Sequence, residues 1–421
     1  GKIEQRGKGR PDMEPVVRFP EGVTVDDLEG AVPGAPGEVR VSYKTKSASE
    51  WRTTEWLAVD PARDFTQRFP LTELTPASTY QLRVESRDPS DGHAGQTVEG
   101  DFRTAPLPET VARVEFMVTT CFGYPDLDAP GQGFKIYPEM RKLDPDFFVN
   151  TGDILYYDEL GKSEALARWH WWRMYSLPYG VEFHKHVCSY FEKDDHDTWM
   201  NDCYPTMQTK FMGTFTFAQG QAIYLEQVPM SEKPYRTFRW GKDLQIWLIE
   251  GRDFRSPNDM RDGPEKTIWG AEQKEWFKRT VQESDATFRV LISPTPLVGP
   301  DRNNKNDNLA NLGFSHEGNE LRSFCAAQKN MVVMCGDRHW QYVSVDKETG
   351  LWEFGCGSAS DQHAGGWKND DVLPEHRYVN VVGGFLAVTV DRPNGTPSML
   401  LRHYGVNGDI YHEERLDAKN E

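Results

Sequence analysis

The sequence predicts two consecutive parts, an all-β sandwich followed by a larger α/β domain. Residues 38–104 consist of short segments of alternating polarity separated by polar turns, which is typical of a β-sandwich. From Val111 onward, short apolar segments alternate with helical ones, which indicates a sheet covered by helices. Side chains that can bind metal ions follow most of those apolar segments, so the predicted functional site lies in the second part.

Charge and composition argue against several classes of partner. The chain has 421 residues and a formal net charge of −17, which counts against nucleic acid or an anionic membrane as the main partner. It contains no run of about 18 apolar residues, so we expect no membrane span. Residues 1–15 contain no apolar signal core, and we therefore expect any signal peptide to lie outside this sequence.

The cysteines indicate neither a zinc ribbon nor a dense disulfide framework. The six residues are scattered along the chain and include no CxxC pair. Cys188 and Cys203 could form one disulfide bond, although their spacing does not decide it.

The first domain is predicted to span residues 1–107. Alternating stretches such as VRVSYKT at 39–45 would place their apolar side chains on one face of a strand. A second such stretch ends the segment LTELTPASTYQLRV at 71–84. Pro106 and its neighbours indicate a short linker, and the second domain is then predicted to span residues 112–421.

The second domain contains a series of predicted buried strands, which are short, apolar and mostly bounded by polar residues. They cover residues 114–119, 147–150, 187–191, 244–249, 288–293 and 331–335. Helices are predicted between them at residues 134–143, 162–175, 272–283 and 319–328. Further strands are predicted near the end of the chain at residues 385–390 and 399–404.

Chemically active side chains follow the predicted strands at their carboxyl ends. They are Cys121, Asp153, Tyr156, the run from Asp194 to Asp197, Arg252, Arg255 and the run from Asp337 to His339. Each has an ordinary structural explanation when taken singly, such as a buried thiol, a turn aspartate or a surface ion pair. Open α/β sheets bind their ligands beyond the carboxyl ends of the strands, so the whole set predicts one functional site.

The predicted site brings together acidic side chains that would repel one another. Asp153, Asp195 and Asp337 could not all stay ionised at short range without a cation, so we expect bound metal ions. A thiolate from Cys121 and a phenolate from Tyr156 favour Fe3+ over zinc at one position. Carboxylate and carbonyl oxygens favour Ca2+, Mg2+ or Mn2+ at a neighbouring position.

The same set of residues indicates the hydrolysis of phosphate esters. Neighbouring metal ions suit in-line displacement at phosphorus, with a bound hydroxide as the nucleophile. The guanidinium groups of Arg252 and Arg255 could hold the phosphate oxygens. His196 is followed by Asp197, and this pair could act as an acid with its orienting carboxylate, protonating the leaving oxygen.

These residues also form motifs that occur together in one enzyme family. The motifs are Cys121 in place of a DxH motif, Gly152-Asp153 with Tyr156, Asp194 to Asp197 as DDHD, Arg252 to Arg255 as RxFR, Trp269 to Phe277 as WGxEQxxWF and Gly336 to Trp340 as GDxHW. In combination they resemble the alkaline phosphatase D (PhoD-like) branch of the calcineurin-like metallophosphoesterases. The segment 71–84 resembles fibronectin type III and related immunoglobulin-like domains, in which a tyrosine packs at a corner.

The resemblance implies a four-layer αββα sandwich as the fold class, preceded by an all-β immunoglobulin-like sandwich domain. It implies a di- or trinuclear site with Fe3+ and Ca2+, or with Mn2+, Mg2+ or Zn2+ as the divalent ion. The implied metal ligands are Cys121, Asp153 as the bridge, Tyr156, Asp195, Asn201, Asp337 and His339. The resemblance also implies a small phosphate-ester substrate and a secreted or periplasmic enzyme.

Parts of the sequence depart from the family pattern and bear on the choice of substrate. Glu250 stands where the family commonly has aspartate. The segments 257–264 and 299–317 are expected to be particular to this chain. His363, which lies beside glycines late in the domain, is expected to be a surface histidine.

Two alternatives to a general phosphomonoesterase or phosphodiesterase stay open. One keeps the site but acts on a lipid or cell-wall polymer diester, although the acidic surface disfavours a polyanionic substrate. The other is a binding protein in which the β domain docks a partner and the α/β domain is catalytically inactive. The complete set of ligand residues argues against this second alternative, because a degenerate copy would have lost some of them.

Overall fold

The N-terminal part of the protein is built of β-strands, as predicted. The computed structural model describes residues 4–6, 16–90 and 92–419. The strands of this part are β1 (Glu4–Arg6), β2 (Val16–Arg18), β3 (Glu38–Thr45), β4 (Arg52–Thr53), β5 (Leu57–Ala58), β6 (Thr79–Arg87) and β7 (Ala94–Arg103). Strands β3 to β7 form one antiparallel sheet, while β1 and β2 pair with each other.

One face of this sheet carries the core of the N-terminal part. Val41, Tyr43 and Tyr80 are buried there, and Phe69 and Leu71 from the long connection between β5 and β6 pack against them. Because that connection contains prolines, it is poorly suited to a hydrogen-bonded ladder. Among the described residues, an irregular segment therefore covers the face where a sandwich would place a second sheet.

Tyr80 forms the corner contact that the resemblance to immunoglobulin-like domains implies. Its hydroxyl oxygen accepts a hydrogen bond from the Thr75 N–H at 2.8 Å, and its ring stacks on Phe102 with the centroids 5.4 Å apart. The side chain is buried, so the hydroxyl finds its partner inside the protein. This contact ties the connection before β6 to the sheet.

The second part of the chain alternates strands and helices, as predicted. Its strands are β8 (Val114–Thr119), β9 (Phe147–Asn150), β10 (Cys188–Phe191), β11 (Arg236–Trp240), β12 (Leu244–Leu248), β13 (Phe288–Ser293), β14 (Met331–Cys335), β15 (Gln341–Val345), β16 (Trp352–Cys356), β17 (His376–Asn380), β18 (Phe385–Asp391), β19 (Ser398–Tyr404) and β20 (Ile410–Asp417). Its helices are α1 (Ile136–Lys142), α2 (Glu164–Tyr175), α3 (Pro178–His184), α4 (Asp195–Thr198), α5 (Phe217–Gln227), α6 (Ala271–Glu283) and α7 (Ser315–Ala326).

These strands form two sheets that pack face to face. One sheet has six strands in the order β10-β9-β8-β18-β19-β20. The other has seven strands in the order β11-β12-β13-β14-β16-β15-β17. Phe116 and Val149 of the first sheet share a buried core with Ile246 and Val290 of the second, so apolar side chains fill the space between the sheets.

Helices cover the outer face of each sheet. Met140 of α1 and Ala167 of α2 share a core with Phe148 of the six-stranded sheet. Phe277 of α6 and Leu321 of α7 lie in a second core on the outer face of the seven-stranded sheet. The order of layers is therefore helix, sheet, sheet, helix, which confirms the predicted αββα sandwich.

The carboxyl ends of the parallel strands in both sheets meet at a common edge. Strands β8, β9 and β10 are parallel neighbours in one sheet, and β12, β13 and β14 are parallel neighbours in the other. A parallel bridge between Thr120 and Ser358 joins the segment after β8 to the segment after β16. This bridge brings together loops from both sheets at the edge where such folds bind ligands.

Several contacts attach the N-terminal part to the α/β sandwich, among them Trp172 Nε1 to Asp64 Oδ2 at 2.7 Å. The Asp101 N–H in β7 donates a hydrogen bond to the Lys185 carbonyl oxygen, at the end of α3, at 2.8 Å. Leu28, which precedes the sheet of β3 to β7, packs on Trp169 of α2. We propose that the chain divides into domains of residues 1–107 and 112–421, with the start of the first domain lying against the second.

Two sequence-based expectations concern membranes and disulfide bonds. Among the described residues, no helix combines the length and apolar character that crossing a membrane requires. All six cysteines are free thiols, so Cys188 and Cys203 do not form the disulfide bond that their spacing left open.

Candidate metal centre

Asp153 lies at the centre of three groups of side chains that could each hold a metal ion. The first group is Cys121, Asp153 and His339, the second is Asp153, Asp195 and His196, and the third is Asp153, Asp194 and Asp337. Because their members would donate electron pairs to a metal ion, these sets are called the donor groups. Within each group the candidate ligand atoms all lie within 4.8 Å of one another. Because one carboxylate belongs to every group, Asp153 is placed to bridge neighbouring ions.

The backbone around Asp153 is held in an unusual conformation. Asp153 and Cys121 both have positive φ values, 53° and 55°, which side-chain-bearing residues adopt rarely and often at functional sites. The Cys121 N–H donates to the Gly152 carbonyl oxygen at 3.2 Å, so the loops after β8 and β9 are tied together. A Cβ on Gly152 would lie 2.5 Å from the Asp194 nitrogen, so only glycine fits there.

Some carboxylate oxygens of this centre have no hydrogen-bond partner among the described residues. Asp153 Oδ1 and Asp194 Oδ2 are buried and have no hydrogen-bond partner among the described residues. Burial, reinforced by the neighbouring Asp195 and Asp194 carboxylates, raises the pKa of Asp153 well above its usual range. Burial likewise raises the pKa of Asp337 to about 8, even though Arg338 lies beside it. Bound cations would relieve these costs, so the residues present fit a metal centre.

One of the three groups, Cys121 with Asp153 and His339, offers a sulfur and a nitrogen atom to a metal ion. The Cys121 Sγ lies 3.4 Å from Asp153 Oδ2. Burial, followed by the Asp153 carboxylate, raises the pKa of the Cys121 thiol well above its usual range. Burial and the neighbouring His363 lower the pKa of His339 well below its usual range, which favours the neutral imidazole that binds metals. The group of Asp153, Asp194 and Asp337, by contrast, offers only oxygen atoms.

Tyr156 lies in this centre, with its ring centroid 4.3 Å from that of His196, and it also contacts His363, for which the prediction of a surface histidine was wrong. The Tyr156 hydroxyl and His363 Nε2 are 2.8 Å apart, and Asp126 Oδ2 lies 2.7 Å from His363 Nδ1. Only 14% of the His363 side chain is exposed, and its ring centroid is 4.2 Å from that of His339. The bridge at Ser358, shortly before His363, explains why this loop reaches the site.

His196 also faces the centre, but its orienting carboxylate differs from the predicted one. Asp158 Oδ1 lies 2.9 Å from His196 Nδ1. Asp197 instead accepts hydrogen bonds from the Asp194 N–H at 2.7 Å and the Ile154 N–H at 3.0 Å, capping α4. Burial alone would lower the pKa of His196, yet Asp158, followed by other site carboxylates, outweighs it and raises that pKa well above its usual range.

Arg252 binds the acidic motif directly. Its Nε donates to Asp194 Oδ1 at 2.6 Å, and its Nη2 lies 3.7 Å from Asp195 Oδ2. Burial opposes ionisation of Asp195, but Arg252 and His196 outweigh it and hold the pKa of Asp195 below its usual range. Asn201, which the family resemblance implied as a ligand, is exposed in the turn after α4.

Both predicted phosphate-binding arginines keep N–H groups without a partner among the described residues. Arg255 donates from Nη2 to the Asp307 carbonyl oxygen and to Asn258 Oδ1, both at 2.5 Å. Its Nε and Nη1 are buried without acceptors, and so is Nη1 of Arg252. Phosphate oxygens of a substrate could accept hydrogen bonds from these N–H groups, two of whose nitrogen atoms belong to Arg255 and one to Arg252.

Several contributors were not selected from the sequence as site residues. Asp194 belongs to a donor group, Asp158 and Asp126 orient histidines, and Arg338 places Nη1 2.7 Å from Asp337 Oδ2. Asp194 stands in the DDHD motif, so a signal existed, but its neighbour Asp195 was chosen. Arg338 likewise stands in the GDxHW motif, whereas Asp158 and Asp126 are recognisable only from contacts between distant parts of the chain.

A buried ion-pair network supports the strand ends beside the centre. Lys193 Nζ donates to Glu250 Oε1 at 2.9 Å and to Asp253 Oδ1 at 2.5 Å. The Lys193 and Glu250 side chains are 3% and 2% exposed, so water does not screen this pair. Glu250 also accepts the Arg252 N–H, so the residue that departs from the family pattern positions the RxFR motif.

Replacing Lys193 with methionine should strongly destabilise the protein. The change keeps most of the side-chain volume but leaves two carboxylates buried without their cation, so we expect the free energy of unfolding to fall by about 3–5 kcal/mol. Urea unfolding followed by tryptophan fluorescence measures this. Lys242→Met at an exposed position is the control, with a change within about 0.5 kcal/mol. Equal stability of the two variants would contradict the buried network.

Comparisons with known proteins agree with the geometry. The family described as PhoD-like phosphatase matches residues 168–381. Among solved structures, one titled "Structure of PhoD" superposes with a TM-score of 0.74 at 17% identity, covering 98% of this chain and 88% of that one. A purple acid phosphatase from yellow lupin (Lupinus luteus) seeds superposes with a TM-score of 0.66 at 15% identity, covering 99% and 74% respectively. No curated protein matched the sequence significantly.

Proposed function

Since the chain belongs to the PhoD-like phosphatase family and is a phosphoric ester hydrolase, we propose that its reacting phosphate binds at the three donor groups around Asp153. Metal dependence follows from the family and its fold. The observation that carries the proposal is the sharing of one buried carboxylate, with an unpartnered oxygen, by all three groups. That arrangement suits neighbouring metal ions acting on one phosphate.

Two of the groups that share Asp153 suit different ions. Cys121 and His339, with the Tyr156 phenol nearby, favour Fe3+ in one group. The oxygen atoms of Asp194 and Asp337 favour Ca2+, or Mn2+, Mg2+ or Zn2+ in its place, in another. When bound, the ions supply Lewis acidity and activate the attacking water.

The arginines are proposed to hold the phosphate in place. The unpartnered N–H groups of Arg255 and the remaining Nη1 of Arg252 would donate to its oxygens. Arg252 has a second role, because its ion pair with Asp194 keeps a candidate ligand oriented. Donors fixed before the substrate arrives lose little entropy on binding it, which favours the transition state.

His196 is proposed to donate the proton that the leaving oxygen needs. Asp158 holds Nδ1 at 2.9 Å, which leaves Nε2 as the nitrogen free to face the substrate. Asp158 belongs to none of the donor groups, so its contact with Nδ1 of His196 does not compete with cation binding. The acid role of His196 therefore rests on this fixed orientation of the imidazole.

A substrate panel tests the proposed function. The metal-loaded protein should hydrolyse nitrophenyl phosphate, bis-nitrophenyl phosphate, or both, and the chelated protein should hydrolyse neither. The ratio of the two rates decides between monoester and diester preference. Absence of hydrolysis with Fe3+ and each divalent ion would refute the enzyme and favour the binding-protein alternative.

We also propose that the enzyme acts outside the cytoplasm, as its resemblance to the PhoD-like branch implies. Cell fractionation of the source organism with an antibody to this chain tests the location. Recovery only in the cytoplasmic fraction would refute it.

A further inference from the structure

The segment 299–311, between β13 and α7, lies beside the metal centre and has no role in the function proposed so far. Its buried part is held by hydrogen bonds, in which Asn308 and Asn311 donate to Asp301 Oδ2 at 2.9 and 3.1 Å. Arg338, from the GDxHW motif, donates to the same oxygen at 2.5 Å. The segment is thus fastened to the strand end that carries the motif.

Two cations project from the tip of this segment. The Arg302 and Lys305 side chains are 32% and 25% exposed. Lys305 Nζ lies 3.1 Å from Asp307 Oδ2, and Asp307 Oδ1 accepts a hydrogen bond from Arg338, also at 3.1 Å. Since Arg338 in turn contacts Asp337, these contacts place Lys305 close to the metal centre.

The Arg302 guanidinium lies beside the ring of Trp340. Its guanidinium carbon lies 5.6 Å from the Trp340 ring centroid, within cation–π range, and Trp340 stacks on Trp367 at 5.2 Å. Its Nε is buried and has no hydrogen-bond acceptor among the described residues, because Asp301 Oδ1 lies 3.6 Å away. A Cβ on Gly366 would lie 3.0 Å from Nη1, so the loop of His363 also borders this guanidinium.

We propose that Arg302 and Lys305 form a subsite for a second phosphate group, so that the enzyme prefers phosphate esters that carry two phosphates. The Lys305 N–H donates to the Arg302 carbonyl oxygen at 3.0 Å, so both side chains leave one tight turn. A guanidinium and an ammonium group carried by one turn can each bind phosphate oxygens by charge-assisted hydrogen bonds. In a chain of net charge −17, these cations also offset the repulsion of a polyanionic substrate.

This inference rests on the proposed function, because it places the reacting phosphate at the metal centre. The test compares kcat/KM for fructose 1,6-bisphosphate and fructose 6-phosphate in the metal-loaded wild type and in Arg302→Ala/Lys305→Ala. Two charge-assisted hydrogen bonds are lost, so we expect the bisphosphate-to-monophosphate ratio to fall by about 10- to 100-fold. An unchanged ratio, including an equal loss on both substrates, would overturn the subsite.

Two variants control for the loop and for charge. Asn304→Ala changes an exposed residue of the same tip, and Lys329→Ala removes an exposed cation before β14, at the opposite end of that strand from the site. Both variants should keep the wild-type bisphosphate-to-monophosphate ratio of kcat/KM. A similar fall of this ratio in either variant would overturn the specific role of Arg302 and Lys305. If the wild type hydrolyses neither sugar, hydrolysis of the nitrophenyl phosphates still decides the proposed function separately. The subsite is then tested by measuring the binding of the two sugar phosphates calorimetrically. Equal affinities of the wild type and the double variant for the bisphosphate would refute the subsite.

Discussion

Asp153→Asn should abolish phosphoesterase activity while leaving the protein folded. The variant removes the carboxylate shared by all three donor groups, so every bound ion loses a ligand. Without these ions the transition state loses several kcal/mol of stabilisation, so we expect the rate on nitrophenyl phosphate to fall by about 10³-fold or more. Metal content measured by plasma mass spectrometry should fall with the activity.

Asparagine is the appropriate replacement because it tolerates the positive φ of 53° at this position. In the presence of a chelator, the variant should unfold at the same temperature as the wild type or higher, since it lacks a buried charge that the metal-free site compensates poorly. Asp409→Asn, at an exposed turn, controls for the loss of one charge and should keep full activity. Full activity and metal content in Asp153→Asn would place the metal centre elsewhere.

His196→Ala should slow the hydrolysis of esters with poor leaving groups far more than that of esters with good ones. An alkyl phosphate needs its leaving oxygen protonated, so we expect a loss of about 10²- to 10⁴-fold in kcat. Nitrophenolate leaves without a proton, and we expect its phosphate ester to lose about tenfold or less. Steady-state kinetics on the two substrates measures the difference.

Asp158→Asn separates the orienting role from the proton donation itself. The variant retains His196 but removes the carboxylate 2.9 Å from its Nδ1. We therefore expect kcat on the alkyl phosphate to fall by about 10- to 100-fold, and to fall more than kcat on nitrophenyl phosphate. His316→Ala, at an exposed histidine of α7, should match the wild type on both substrates. Equal losses on alkyl and nitrophenyl phosphates in His196→Ala would contradict an acid role.

Most of the sheet framework could be predicted because buried strands leave a strong local signal. Phe147–Asn150, Phe288–Ser293 and Met331–Cys335 are short apolar runs with polar ends, and they occupy exactly the predicted ranges. The polar residues after them lie at the common edge, as the rule for parallel strands implies. The general location of the site was therefore accessible from the sequence.

Helices that depend on tertiary contacts were harder to predict. Gly220 interrupts the apolar pattern of α5, yet a Cβ there would lie 1.8 Å from the Thr198 carbonyl oxygen, so close packing requires the glycine. Helix α7 begins at Ser315, before the predicted start at residue 319, and the carboxylate of Glu317 in its first turn accepts a hydrogen bond from the Ile268 N–H at 2.6 Å. Such contacts join residues far apart in sequence and leave no local periodicity.

The composition of the site was predictable only as far as single strand ends reveal it. Cys121, Asp153 and His339 each follow a predicted strand, and the structure brings them into one donor group. The contact between Tyr156 and His363 joins residues 207 positions apart, so no motif announces it. The orienting carboxylates went unrecognised for the same reason, since proximity in space rather than in sequence defines them.

The central claim is that Asp153 joins a sulfur-containing metal position to a position with oxygen ligands only. Anomalous diffraction from crystals of the protein loaded with Fe3+ and Mn2+ tests it directly, because each ion is located at its own absorption edge. We expect iron in contact with Cys121, Asp153 and His339, and manganese in contact with Asp153, Asp194 and Asp337. A single ion, or two ions that do not share Asp153, would contradict the claim.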